Sequence, residues 1–214
     1  LRTHTQDLFQ EDMRAIFGEI PETDGRSPEE KEEYLVKLYL KRLKEIVPSR
    51  GGRPRTVSVP ILKPTIDRTL YHLVYLTRHA KGITVFMEAS EKLNLVQCRT
   101  RAQAKQTKRE DKSGQRELFS SADWMPMEKH ADLAEVKLYW LGRLKNSPCQ
   151  FGIEELADML EESTWFEGDL QVAFGELEKE GKVKNLDANR KRRSKFVHFS
   201  ENHGKGENLA KVLS

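Results

Sequence analysis

The sequence predicts a partial α/β piece with an antiparallel β-hairpin and flanking helices, followed by an α+β winged helix-turn-helix. Three observations carry that expectation. Two strand-like runs lie close together in residues 55–79. A basic stretch poor in core-forming residues follows them. After Ala131, three amphipathic helical patterns precede two short apolar runs that flank a basic turn. The division expected is residues 1–96 for the α/β piece, 97–126 for a basic mobile linker, 127–202 for the winged helix and 203–214 for a flexible tail.

The first strong element is a helix over Ser27–Val47. Ser27 suits the cap, Pro28 the first turn, and Glu29 and Glu30 the positive end of the helix dipole. Leu35, Val36, Tyr39, Leu40, Leu43, Ile46 and Val47 form a broad apolar stripe. Pro48 and the Gly51–Gly52 pair end it. Arg55–Ile61 alternates, with Val57, Val59 and Ile61 on one face, and Pro60 argues for a sheet edge. Thr69–His79 is apolar on both faces and reads as a central strand. Lys81–Leu93 reads as a short amphipathic helix with Ile83, Phe86 and Met87 inward.

Gln97–Phe119 then carries seven basic and three acidic side chains, with almost no apolar residues before its end. It reads as a mobile linker with part-helical character. Beyond it, Leu133, Val136, Leu138, Tyr139, Trp140, Leu141 and Leu144 mark one helix. Ile153, Leu156, Ala157 and Leu160 mark a second, and Leu170, Ala173, Phe174 and Leu177 a third, with Gly181 as its C-cap. "KVKNL" and "KFVHF" read as the two strands of the wing, with Val183 and Leu186 on one side and Phe196, Val197 and Phe199 on the other as its core contacts.

Charge is divided unevenly within this module. Gly152–Glu180 has ten acids and one base, a net of minus nine. Lys182–Lys195 has seven bases and one acid, a net of plus six. Winged helices often lay their third helix in the major groove of DNA. An acidic third helix, with Gln171, Val172, Gly175, Glu176 and Lys179 roughly outward, would be repelled by the phosphates. The nucleic-acid-binding residues expected are therefore Lys184, Arg190, Lys191, Arg192, Arg193 and Lys195, acting on phosphates and reading sequence weakly. The bland alternatives are a solvated basic turn or a nuclear-import run. A different class of function is a protein-interaction module that docks a basic partner on the acidic helices and touches no nucleic acid.

No nucleotide-binding glycine loop, hydrolase elbow or zinc-protease motif is present in the sequence. His198 and His203 lie five apart with no cysteine near, so no metal site is expected. His72 reads as a core histidine. Two distant cysteines, Cys98 and Cys149, form no disulfide framework or zinc spacing and fit a reducing, cytoplasmic setting. There is no signal-peptide pattern and no apolar run of membrane-spanning length. The net charge of plus three means that any affinity for nucleic acid must come from local clustering.

One segment carries a resemblance. In "VSVPILKPTIDRTLYHLVYLTRHAKGITVFMEASEKL", the residues Tyr71, Leu73, Val74, Tyr75, Thr77, Arg78, His79, Gly82 and Met87 match a hairpin pattern. The pattern resembles that of the three-Cys-motif partner protein family, over about residues 8–93. Thr77 stands where Ser is common, and Ala80 where Pro is frequent. The resemblance implies a class I, S-adenosylmethionine-dependent methyltransferase-like fold, with the hairpin at the edge of a seven-stranded sheet. It also implies a three-cysteine, radical-SAM-like partner protein in bacteria and phages. The chain begins with Leu1 and has no cofactor loop, so it is expected to be the C-terminal part of such a protein, non-catalytic by itself. S-adenosylmethionine would belong to the longer protein, and this piece would be its specificity element. No catalytic residue is carried over. Arg78 and His79 are the ligand-facing candidates on the matched motif.

Overall fold

The computed structural model describes residues 2–48, 50–113, 131–146, 148–188, 196–200 and 206–212. The elements are α1 (Arg2–Phe17), α2 (Pro28–Ile46), β1 (Arg55–Leu62), β2 (Thr69–Thr77), α3 (Ala80–Ser113), α4 (Leu133–Arg143) with a 3-10 turn at Leu144–Asn146, β3 (Cys149–Phe151), α5 (Ile153–Glu162), α6 (Glu167–Lys179), β4 (Val183–Asn185) and β5 (Glu207–Lys211). The chain divides into two units. One comprises Leu1–Ser58 with Leu73–His79, and the other Val59–His72 with Ala80–Ser214.

In the first unit, α1 packs beside α2. Phe17 meets Tyr39 edge-to-face, with ring centroids 6.3 Å apart. Ser27 and Glu30 form a reciprocal capping box at the start of α2, as the sequence predicts. Helix α1 carries too few apolar positions to stand out in the sequence. The strand β1 buries Val57 and Val59 on its inward face, as its alternation requires.

The second strand departs from expectation. Apolar residues on both faces predicted a central strand, but β1 and β2 form a two-stranded sheet. Leu70, Tyr71, Leu73 and Leu76 are exposed. A short hairpin connection forces antiparallel pairing. The described residues thus hold small antiparallel sheets and helices, a mixed α+β arrangement rather than a parallel α/β sheet.

In the second unit, α3 is far longer than the predicted Lys81–Leu93. It runs through Ser113, so Gln97–Ser113 is helix where a linker was expected. Its Arg, Ala, Gln and Lys residues are strong helix formers. Ala102 and Gln106 are buried, and α3 lies against α5. Residues 114–126 of the expected linker lie outside the described residues.

The C-terminal domain follows the helix–strand–helix–helix–strand–strand order of a winged helix. Its sheet is ordered β3–β5–β4, with both pairings antiparallel. Cys149 pairs with Leu209, and Asn185 with the same Leu209 from the other side. Two expectations are corrected here. The described residues 196–199 of "KFVHF" form no strand, and the expected tail holds β5. The reason is packing: Phe199 leaves the sheet and inserts among the aromatic rings of the core. Trp140, Phe151, Phe174 and Phe199 meet with centroids 5.0 to 5.6 Å apart. All four are buried, and Trp140 donates its indole N–H to the Leu170 carbonyl at 3.1 Å. β5 then takes the central place, where Leu209 is fully buried.

Candidate nucleic-acid interface

The link between β4 and β5 is built from fixed ends. β4 alternates, with Val183 and Asn185 buried and Lys184 exposed between them. Lys184 stands opposite Ala210 and projects from the face away from the core. At the end of β4, the Asp187 N–H donates to the Asn185 side chain. The Asp187 carboxylate accepts from the backbone N–H and side-chain amide of Asn208, at 2.7 and 2.8 Å. Arg190, Lys191, Arg192, Arg193 and Lys195 follow in sequence and lie outside the described residues.

The chain is fixed again at 196–200. Gln171 of α6 is buried and grips this stretch from both sides of its amide. Its Nε2 donates to the Phe199 carbonyl at 2.8 Å, and its Oε1 accepts from the His198 and Phe199 N–H groups at 2.9 and 3.3 Å. Asn185 donates to the His198 carbonyl at 3.0 Å and to the buried Glu207 carboxylate at 2.8 Å. Glu207 also accepts from Ser200 N–H. The basic run is therefore bracketed by Asp187 and Phe199, two points tied into one polar network.

That network also covers part of the third helix. Gln171 and Gly175, expected to face outward, are both buried. The His198 ring lies where a Cβ on residue 175 would sit. Its Nδ1 is 3.2 Å from the Glu178 carboxylate. At the other end of α6, Glu91 of α3 occupies the space beside Gly168. Val172 and Lys179 are the exposed members of the expected outward set, with Glu176 half-buried.

The acids of α5 and α6 also have partners within the domain. Glu155 and Asp169 accept from the backbone N–H groups of Gly152 and Phe166, as helix caps. Lys137 of α4 bridges Glu176 and Glu180 at 2.6 and 2.8 Å. Arg143 reaches Glu162 at 3.1 Å and Asp158 at 4.0 Å. The Lys137 and Lys182 ammonium groups hold the Glu180 carboxyl down at about 2, and Glu176, then Glu180, raise Lys137 in turn. Burial, helped by the hydrogen bond to Glu162, pushes the Tyr139 phenol up. A net of minus nine in sequence is thus much less than nine free negative charges on a surface.

The other candidates separate from this site. The Arg78 guanidinium donates twice to the Pro48 carbonyl, at 3.2 and 3.0 Å, and ties the strand end to the end of α2. That is a structural use of the side chain. His79 is exposed, and its N–H donates to the Thr77 hydroxyl at 3.2 Å. Among the described residues, no group of three His, Cys, Asp or Glu side chains is placed to hold a metal. Cys98 and Cys149 form no disulfide, and burial raises the Cys149 thiol. No described helix is long and apolar enough to cross a membrane.

Sequence reasoning missed Gln171, Asn185 and Glu207. Gly175 was the available signal. A glycine inside a helix costs roughly 1 kcal/mol relative to alanine, and often marks a close approach.

Residues 105–190 match the family described as the GMT-like wHTH domain. The match covers the last part of α3, the helices α4 to α6, β3, β4 and the start of the basic run. A winged helix domain is present. Neither the curated proteins nor the solved structures contain a match to this chain.

Proposed function

We propose that this chain contacts nucleic acid through the basic run between β4 and β5, using Lys184, Arg190, Lys191, Arg192, Arg193 and Lys195 on backbone phosphates. The observation that carries this is the bracketing of a run of five bases, Arg190 to Arg193 and then Lys195 beyond Ser194, by the Asp187 and Phe199 anchors, beside a third helix partly covered by the chain itself. A covered, ion-paired helix supplies few side chains for reading base edges. Contact through phosphates gives affinity without much sequence information. The expected behaviour is weak discrimination and strong salt dependence.

The test is binding of generic duplex and single-stranded oligonucleotides across a salt series. R190A/R192A/R193A should weaken binding and make the slope of log K against log salt shallower by about 2 to 3 units. Absence of wild-type binding at low salt would sink the proposal.

Within this reading the chain is an accessory or specificity portion of a methyltransferase-like three-Cys-motif partner protein, cytoplasmic, with a three-cysteine, radical-SAM-like protein as a second partner. Support for that part is the resemblance in residues 8–93 alone. S-adenosylmethionine does not fit the residues present: the sequence has no glycine-rich cofactor loop, and the described β1–β2 sheet has two strands. No residue of this chain is assigned to it. A cofactor-binding strand–loop–helix encoded upstream of Leu1 would support this part, and its absence there would end it.

Docking of a basic protein on the acidic helices is the competing function. Such a partner would have to displace Lys137 and Arg143 from the carboxylates they already hold. Retention of a protein partner by R190A/R192A/R193A, with loss on E176K, would favour it.

A further inference from the structure

Outside the β4–β5 link, a second basic surface is built by α3. Positions 101, 105, 108 and 112 fall on one stripe of a helix, within about 60° of each other. They are Arg101, Lys105, Lys108 and Lys112, and Arg109 lies beside them. The stripe is about 16 Å long, the axial length of about five nucleotides of one strand.

Exposed helix surface elsewhere in the chain carries opposite charges four apart among its pairs, beside the like-charge Glu29–Glu33 and Lys37–Lys41 of α2. Glu33 and Lys37, Lys41 and Glu45, and Glu88 and Lys92 are opposite charges four residues apart. Such pairs support a solvated helix. On the α3 stripe, the positions four apart are Arg101 with Lys105, Lys105 with Arg109, and Lys108 with Lys112. Each is a like-charge pair, which disfavours the helix. The helix dipole accounts for a cation in the last turn, hence for Lys112, but not for the rest. Composition alone does not require this arrangement, because Glu110 and Asp111 lie in the same stretch but off the stripe.

The base of the stripe is held in place. Arg101 donates to the carbonyls of Lys63 and Ile66 and pairs with Asp67, all in the β1–β2 connection. Lys105 reaches the same Asp67 at 3.2 Å, with its side chain 42% exposed. Lys108 and Lys112 are exposed and form no ion pair with any described acid. By contrast, Lys137, Arg143 and Lys182 of the winged helix are each occupied by carboxylates.

We infer that Lys105, Lys108 and Lys112 form a second contact surface for a nucleic-acid backbone, a polyanion whose phosphates neutralise the cations that Asp67 does not reach. The ligand class rests on the nucleic-acid function proposed above, since the stripe runs into the winged helix domain.

The experiment compares K105Q/K108Q/K112Q with R190A/R192A/R193A on the same duplex and single-stranded oligonucleotides across a salt series. The stripe variant should bind at least about tenfold more weakly at 0.1 M salt, with a slope shallower by about 2 to 3 units. K105R/K108R/K112R should bind as wild type. Loss of binding in that charge-preserving variant would show a structural role and overturn the inference. Wild-type binding by the stripe variant, with a weakened R190A/R192A/R193A, would overturn the inference and leave the proposed function standing. Absence of wild-type nucleic-acid binding at low salt, or binding confined to phosphatidylserine vesicles, would overturn both.

Discussion

Gly175 shows how one residue registers a contact that pattern analysis cannot see. In an exposed helix, alanine would be favoured there. Here the His198 imidazole fills the position of a Cβ. G175A is therefore expected to destabilise the domain by about 1–3 kcal/mol, the cost typical of overpacking. Urea denaturation would measure it, and a stabilised variant would mean that His198 is not seated on α6. Phe199 is a second case. It is fully buried against Trp140, Phe151 and Phe174. F199A should cost about 3–5 kcal/mol by the same measurement. Of the core contacts expected around the basic run, Phe199 and Val183 are buried, whereas Leu186, Phe196 and Val197 are exposed. The sequence could not reveal that the Phe199 contact is made from outside the sheet, because a buried phenylalanine looks the same on a strand and on an anchored loop.

At the scale of elements, legibility followed the strength of periodicity. The capped helix α2 and the three helices α4, α5 and α6 were readable because apolar stripes and caps agree. The strands β3 and β4 have three residues each, too few for alternation to register. The second half of α3 reads as a linker of part-helical character because it has almost no apolar residues, yet it is helix throughout to Ser113. Helix formers and two buried residues, Ala102 and Gln106, suffice there. The join of α4 to α6 gives a pH prediction. Glu180 titrates at about 2, below its ordinary 4.5, because Lys137 and Lys182 favour the carboxylate. A depressed folded-state value contributes stability that is complete above 4.5 and is lost as pH falls toward 2. Wild type should lose thermal stability more steeply than E180Q over that interval. Parallel curves would remove this ion pair from the account of acid sensitivity. The contribution is small, because the group is solvated.

At the scale of the whole molecule, the family match begins at residue 105, but the helix that enters the domain begins at Ala80. α3 lies on α5 and brings Glu91 beside Gly168 of α6. A fragment of residues 105–214 keeps every described strand of the winged helix but loses the upstream three-quarters of α3. Its α5 amides should exchange with solvent faster than those of the intact chain, by mass spectrometry. Equal protection would show that the matched region is self-sufficient. What the sequence conveyed at this scale was the order of modules and the polarity of charge. What it withheld was the use of that charge: the same carboxylates count as a surface in a tally and as caps and ion pairs in three dimensions.

The pinning of Phe199 also bears on how this protein can change. A free link from Leu186 to Gly206 would be a single long excursion. An anchor inside it makes two short ones, and closure entropy grows only slowly with the length of each. The segment between Asp187 and Phe196 is then an exchangeable cassette, whose length and composition can vary while its mounting stays the same. Homologous domains could diverge there freely, acquiring or shedding affinity for polyanions, without renegotiating the fold that carries them.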